Sequence, residues 1–329
     1  KPNSSQIWNN LGILSAQNAK TQNEIIYATK CWTKCISISP NHCEAHRNLG
    51  NIQWLHYYDT HKGEIHLQRA IAISSQVYSK ITDMIRKLKR NLQALLREKP
   101  HLLTQNKLIP SNMLETDQAE IQRANAGGDD DDADLDEVDE DDDNLLTHLI
   151  QSIKYNEALR HKFGKFLAQS KSDYGGLLLM MFKYDIEAER ELKHALNYDA
   201  ECISAHYYLG KHLFDTKQDY KQSLHHLSKY IDLEVNKNIA NRAHAHQILG
   251  QIYTNFQLFR QAQFHFGQAI QLSSNNNNNG NTNTSNATAT SSSLPVWALC
   301  KIHCGFADSI VKYEVNKLFD EGSLSSKSQ

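Results

Sequence analysis

Apolar residues recur at intervals of three and four along several stretches of this chain, the spacing of amphipathic helices. From Gln76 to Glu98 they fall at Val77, Ile81, Met84, Ile85, Leu88, Leu92, Leu95 and Leu96, and Pro100 ends the run. Leu145–Gln169 returns to the same period through Leu149, Ile150, Ile153, Ala158, Leu159 and Phe163. Leu294–Phe319 places Trp297, Cys300, Cys304, Ala307, Ile310 and Val311 on one face and reads as a last helical element. Two segments have no such pattern. Asn275–Ser293 is rich in Asn, Ser and Thr, and so is expected to be disordered. Asp129–Asp143 is acidic almost throughout. The longest apolar run, Leu177–Phe182, is stopped by Lys183, far short of the roughly 18 residues of a membrane helix.

Internal self-similarity accounts for most of the helical pattern. In Ala243–Ser274, Leu249-Gly250 is followed by Tyr253, then Ala262, Phe266 and Ala269. The small residues let two antiparallel helices approach closely, and the large ones fill the space between that pair and its neighbour. Trp8, Leu11, Gly12, Ala28, Trp32, Cys35 and Pro40 repeat the pattern with a longer turn. Leu49, Gly50, Gly63, Leu67 and Ala70 give another copy, and Leu209, Gly210, Leu213, Ser223, Leu227 and Tyr230 a further one. Phe163-Gly164 with Leu167 fits a first helix, and Ala188, Leu192 and Ala195 fit a second, paired across an insertion near Gln169–Lys183. Gln76–Glu98 fits the first helix of a degenerate third repeat.

These residues resemble the tetratricopeptide repeat, a helix–turn–helix unit of about 34 residues. The resemblance covers about two thirds of the chain and implies an all-α solenoid with two inserts. The expected organisation is a first repeat block over 1–99, a linker over 100–144 carrying the acidic run, a second block over 145–274, the disordered segment 275–293, a capping helix over 294–319 and a tail over 320–329. Proteins of this family are typically peptide- or protein-binding scaffolds without catalysis. The resemblance implies a concave face built by the first helices, with Asn9, Ile13, Arg47, Asn51, His161, Lys165, Tyr207, Lys211, Gln247 and Gln251 on it. That mix is polar and mildly basic and suits an extended acidic or polar peptide. Arg47 and Asn51 match one pair of the carboxylate-gripping positions of chaperone-binding members. Asn9 and Ile13 in the preceding repeat do not, so such a clamp is incomplete.

Charge adds a second candidate. The 329 residues carry a net charge of −2, but Asp129–Asp143 alone holds twelve acidic residues, and the rest carries +10. The run is either a solvated linker, a contact for strongly basic proteins, or a segment folding back on Arg86, Lys87, Lys89, Arg90 and Arg97. A group of histone chaperones resembles this plan, which makes histone-type chaperoning the alternative function. A different class is also open: the chain begins at Lys1 and reads as a fragment, so it suits the recognition region of a larger enzyme such as a glycosyltransferase.

Catalytic and cofactor signals are missing. There is no G-x-G-x-x-G, G-x-x-x-x-G-K-[ST], H-E-x-x-H or G-x-S-x-G. Cys31, Cys35, His42, Cys43 and His46 cluster in sequence, as do Cys300, His303 and Cys304, yet C-x-x-C knuckles are lacking, so neither metal nor cofactor is expected. The six cysteines are too sparse for a disulfide framework and read as reduced thiols in a cytoplasmic or nuclear protein. The basic balance favours phosphate, but no aromatic–basic stripe accompanies it and the acidic run opposes it, which argues against nucleic acid.

Overall fold

A computed structural model of the protein describes residues 4–17, 19–99, 102, 140–181, 184–234, 238–278, 304–305 and 307–312, with backbone alone at 140–143 and 274–278. All regular structure among these residues is helical. The helices are α1 (Ser5–Gln17), α2 (Gln22–Ile38), α3 (Cys43–Leu55), α4 (Thr60–Glu98), α5 (Glu140–Met180), α6 (Asp185–Tyr198), α7 (Ile203–His212), α8 (Tyr220–Leu233), α9 (Ile239–Asn255) and α10 (Phe259–Asn278). A five-residue π turn, Leu213–Lys217, follows α7.

The helix starts follow from local chemistry. Thr21 opens α2 as a capping box with Glu24, whose carboxylate accepts from the backbone N–H of Thr21 at 2.9 Å. Backbone N–H donation also caps α3, α8 and α9, from Ala45 to His42, from Gln222 to Asp219 and from Asn241 to Asn238. Tyr58, Gln218 and Gln257, each in the turn between two helices of a pair, take left-handed φ values of 53° to 61°.

The chain divides into two compact units, residues 1–71 with 167–329, and residues 72–166. In the first, successive helix pairs stack: α1/α2, α3 with the start of α4, the end of α5 with α6, α7/α8 and α9/α10. Each buried cluster joins one pair to the next. Ile25, Ala28, Trp32 and Cys35 of α2 pack with Ala45, Leu49 and Ile52 of α3. Trp54 and Leu67 pack with Tyr174, Leu177, Leu178 and Ala188. Leu192 and Ala195 meet Cys202, Ala205 and Leu209. Leu227 and Tyr230 meet Ala245, Ile248 and Leu249. Ala262, Phe266 and Ala269 close the series. Each Leu or Phe buried in this way contributes about 1.5–3 kcal/mol relative to exposure.

The third pair sits in a different register from the one read off Phe163-Gly164. α5 runs without interruption through Gln169–Met180 of the expected insertion, and its packing residue is Gly175. A Cβ there would lie 2.7 Å from Leu192 Cγ, and one at Gly210 would lie 2.7 Å from Leu227 Cγ. Gly50, Gly175 and Gly210 are each followed thirteen residues later by a small residue (Gly63, Ala188, Ser223) and seventeen later by a leucine (Leu67, Leu192, Leu227). The Gly175-Gly176 pair and Leu177–Met180 of the apolar run are therefore helix, with Leu177 and Leu178 buried by the neighbouring pairs. Likewise Gln76–Glu98 is no separate first helix but the continuation of α4.

The second unit is a helix pair. Leu92 and Leu96 of α4, with Leu102, bury against Leu146, Ile150 and Ile153 of α5, and Lys89 Nζ lies 3.3 Å from Glu157 Oε1. α5 begins within the acidic run, where Glu140–Asp143 suits the positive end of the helix dipole. α10 continues through Asn278 into the Asn-rich segment. Residues 129–139 of the acidic run, the remainder of 275–293, most of 294–319 and the tail lie outside the described residues.

Candidate partner-binding face

Asn9, Arg47, Asn51, Tyr207, Lys211, Gln247 and Gln251 sit on the first helix of a stacked pair, whereas His161 and Lys165, read from the Gly164 register, fall in the 72–166 unit. Counting from the packing glycine, the side chain at position −3 of one first helix bonds to the next first helix, close before that helix's own packing glycine. Asn9 Nδ2 donates to Glu44 Oε2 at 2.9 Å, and Asn48 Nδ2 donates to Asn9 Oδ1 at 3.4 Å. Arg47 Nε donates to Asp173 Oδ2 at 2.7 Å. Ser172 Oγ donates to Ser204 Oγ at 3.0 Å. The Tyr207 hydroxyl and His244 Nδ1 lie 2.9 Å apart. The tetratricopeptide-like spacing thus yields stacked pairs whose first helices are cross-linked by polar rungs. The chain has a tetratricopeptide-repeat-like fold.

The central rung of this tetratricopeptide-like stack is the richest. Asp173 Oδ2 accepts from Asn51 Nδ2 at 2.7 Å as well as from Arg47, while Oδ1 accepts from Gln169 Nε2 at 3.1 Å. Gln169 Nε2 also reaches Ser204 Oγ at 2.6 Å, and Trp54 Nε1 donates to Asn51 Oδ1 at 3.2 Å. Arg47 and Asn51, the two residues matched to carboxylate capture, therefore hold a carboxylate of the chain itself. Asp173 is largely buried, so this charge-assisted bonding satisfies a group that is costly to leave alone.

The other predicted residues divide by exposure. Asn9, Tyr207 and Gln247 are buried, Lys211 and Gln251 half-buried, and His161 and Lys165 exposed in the 72–166 unit. Burial pushes the Tyr207 phenol far above its usual range and keeps it neutral. Burial also drives Tyr174 up to about 12; its hydroxyl donates to Glu64 Oε1 at 3.2 Å and accepts from Gln68 Nε2 at 2.8 Å. Among the described residues Gln247 Oε1 has no hydrogen-bond partner, so the run of rungs ends there. Of the repeat-signature residues, Ala28, Trp32, Leu49, Gly50, Ala70, Ala188, Ala195, Leu209, Gly210, Leu249, Gly250, Ala262, Phe266 and Ala269 are buried. Gly12 is buried too, Trp8, Leu11 and Tyr253 are half-buried, and Pro40 is exposed beyond α2.

Sequence reasoning missed the rung partners Glu44, Asp173, Ser204 and His244, and the donor Gln169. A signal for them exists: Glu44, Gln169, Ser204 and His244 each precede the packing glycine by six residues. The described cysteines, Cys31, Cys35, Cys43, Cys202 and Cys304, are unbonded thiols, and burial raises Cys35 to about 11. Among the described residues no three His, Cys, Asp or Glu side chains converge as metal ligands, and no helix is long and apolar enough to cross a membrane.

No family model matches the chain, and no curated protein matches it. Several solved structures are similar. PilF of Pseudomonas aeruginosa aligns at 13% identity over 82% of this chain and 91% of its own, with a TM-score of 0.34. YrrB, described as a tetratricopeptide-repeat protein with an unusual peptide-binding site, aligns at 11% over 70% of this chain and 87% of its own, with a TM-score of 0.20. Yeast Tom70 aligns at 13% over 82% and 76%, also with a TM-score of 0.20. At those scores the helix-pair packing, not the likeness, carries the fold assignment.

Proposed function

We propose that the chain is a non-catalytic protein-interaction scaffold that takes an extended acidic or polar peptide across its first helices. The observation that carries this reading is the Arg47–Asn51 pair, whose two donors converge on one carboxylate oxygen at 2.7 Å each. In Arg47 and Asn51 that chemistry is turned inward on Asp173, and the face continues outward through Lys211 and Gln251, at the glycine +1 position of α7 and α9, where both side chains keep partial exposure. Fold alone does not assign function, so the site must be tested.

The test is affinity capture with mass spectrometry, followed by titration of captured peptides. It compares the intact chain, a Lys211→Glu/Gln251→Glu variant and a chain lacking residues 129–143. Loss of the same discrete partners in the double variant, with retention after the deletion, supports the groove. Unchanged capture by the double variant overturns it. If basic nuclear proteins are captured and vanish with the deletion, the histone-type chaperone reading replaces it.

A further inference from the structure

Three repeats place one histidine opposite another at equivalent positions. His46, His206 and His246 lie four residues before the packing glycines Gly50, Gly210 and Gly250, and His66, His226 and His265 lie one residue before Leu67, Leu227 and Phe266. The facing Nδ1 atoms are 3.0, 2.9 and 3.0 Å apart. The rings repeat the same tilt, 40°, 38° and 36°. In the third repeat the same two positions hold Lys171 and Glu191, whose Nζ and Oε2 are 2.6 Å apart. The slot joins the two helices of one repeat and always holds a donor–acceptor pair in these four.

The tautomers follow from the acceptors. His46 Nε2 faces the Pro40 carbonyl at 3.0 Å and His206 Nε2 faces the Ala200 carbonyl at 3.0 Å. A carbonyl only accepts, so each Nε2 carries hydrogen and, in the neutral ring, Nδ1 is the acceptor. His66 and His226 must then donate through Nδ1. One proton added at the outer ring leaves this bond intact. A second sets two N–H groups against each other at 3 Å between two cations.

We propose that the three histidine pairs are proton-sensing clasps, each admitting at most one added proton in the folded repeat, so that acidification loosens the helix pairs. The neighbourhood opposes added positive charge. Arg69 and His42 act on the first pair, Lys229, His225 and Lys193 on the second, and Arg242 on the third; the Pro40 carbonyl at His46, and the Ala200 carbonyl and Asp199 at His206, favour charge. Burial comes first in lowering all six rings, His226 and His246 to about 4. His265 is also stacked on Tyr253 at a 14° interplanar angle. Because the folded pairs bind fewer protons than the unfolded chain, their contribution is complete above the unfolded histidine value of about 6.5 and is lost as pH falls below it.

The experiment is urea unfolding at pH 7.5 and 5.5, with ¹⁵N spectra of the histidine rings. At pH 5.5 each barred proton lowers the folding constant about ten-fold, or about a thousand-fold over three pairs. The comparison chain carries the third repeat's solution in all three slots: His46→Lys/His66→Glu, His206→Lys/His226→Glu and His246→Lys/His265→Glu. His56 and His212, also lowered by burial, contribute equally to both chains, so the difference isolates the pairs. The expected result is a thousand-fold smaller acid loss in the comparison chain. Equal loss in both chains overturns the proposal. So does a wild-type spectrum at pH 5.5 with both rings of a pair protonated in the folded state, a readout that stands even if the variant does not fold.

Discussion

Adding one methyl group to each of two glycines tests the register of the third repeat. Gly175 and Gly267 both lie inside helices, so replacing either by alanine gains about 1 kcal/mol of helix propensity. Their surroundings differ. A Cβ at Gly267 meets nothing within 4 Å, whereas at Gly175 it would lie 2.7 Å from Leu192 Cγ, 2.9 Å from Leu192 Cδ2 and 3.3 Å from the Ala188 carbonyl. Leu192 is fully buried against Ala195, Cys202 and Leu209 and has no room to withdraw. Overpacking of this kind costs about 1–3 kcal/mol. Gly267→Ala is therefore expected to raise stability by about 1 kcal/mol, while Gly175→Ala falls below it by about 1–3 kcal/mol. In thermal unfolding each kcal/mol moves the midpoint by about 2–4 °C for a domain of this size. If Gly175→Ala stabilises as much as Gly267→Ala, α5 and α6 do not approach there and the register is wrong.

Other predictions follow from single sites. Asp173→Ala removes the acceptor shared by Arg47 and Asn51 and is expected to cost about 2–3 kcal/mol in urea unfolding, with Asp173→Asn milder because it keeps an acceptor oxygen; equal stability of wild type and Asp173→Ala would show that the central rung contributes nothing. Gln218→Gly releases a left-handed residue (φ 53°) and should stabilise by about 1 kcal/mol, read as a higher denaturation midpoint. Iodoacetamide at pH 8 should label exposed Cys304 well before buried Cys35, whose thiol is held protonated near 11, and mass spectrometry of timed samples gives the order.

The repeats were legible where their spacing is regular. Leu249-Gly250 through Ala269 and Trp8 through Cys35 announce helix pairs because small and large residues alternate at helical intervals, and that is what the structure packs. The third repeat was harder. Its first helix presents Tyr174-Gly175 where the others present leucine and glycine, and Gly164 eleven residues earlier offers a competing match. Only the distance to the second helix, thirteen and seventeen residues, separates the two. On the expected binding face, Arg47 and Asn51 were named from their positions, but Asp173, which accepts from both, was not. A carboxylate reached from another repeat leaves no local mark, since its partner is distant in sequence and near only after stacking. The histidine pairs escaped for the same reason: each ring reads alone as a surface or filler residue until its partner twenty residues away is placed against it.

The excursion between α4 and α5 sets an order for folding. The rungs joining other neighbouring first helices span 35, 32 and 37 residues, whereas Arg47 and Asp173 are 126 apart. Closing the longer loop costs about 1 kcal/mol more chain entropy, roughly a seven-fold slower encounter. Stacking that elsewhere spreads from neighbour to neighbour meets a pause at this joint. The α1–α3 and α6–α10 parts of the stack are expected to gain structure before the Arg47–Asp173 rung closes. Early formation of the 72–166 helix pair shortens the gap, because two antiparallel helices return their ends to the same side. A lesion in the cluster holding Leu92 and Ile153 is then expected to slow closure of the Arg47–Asp173 rung.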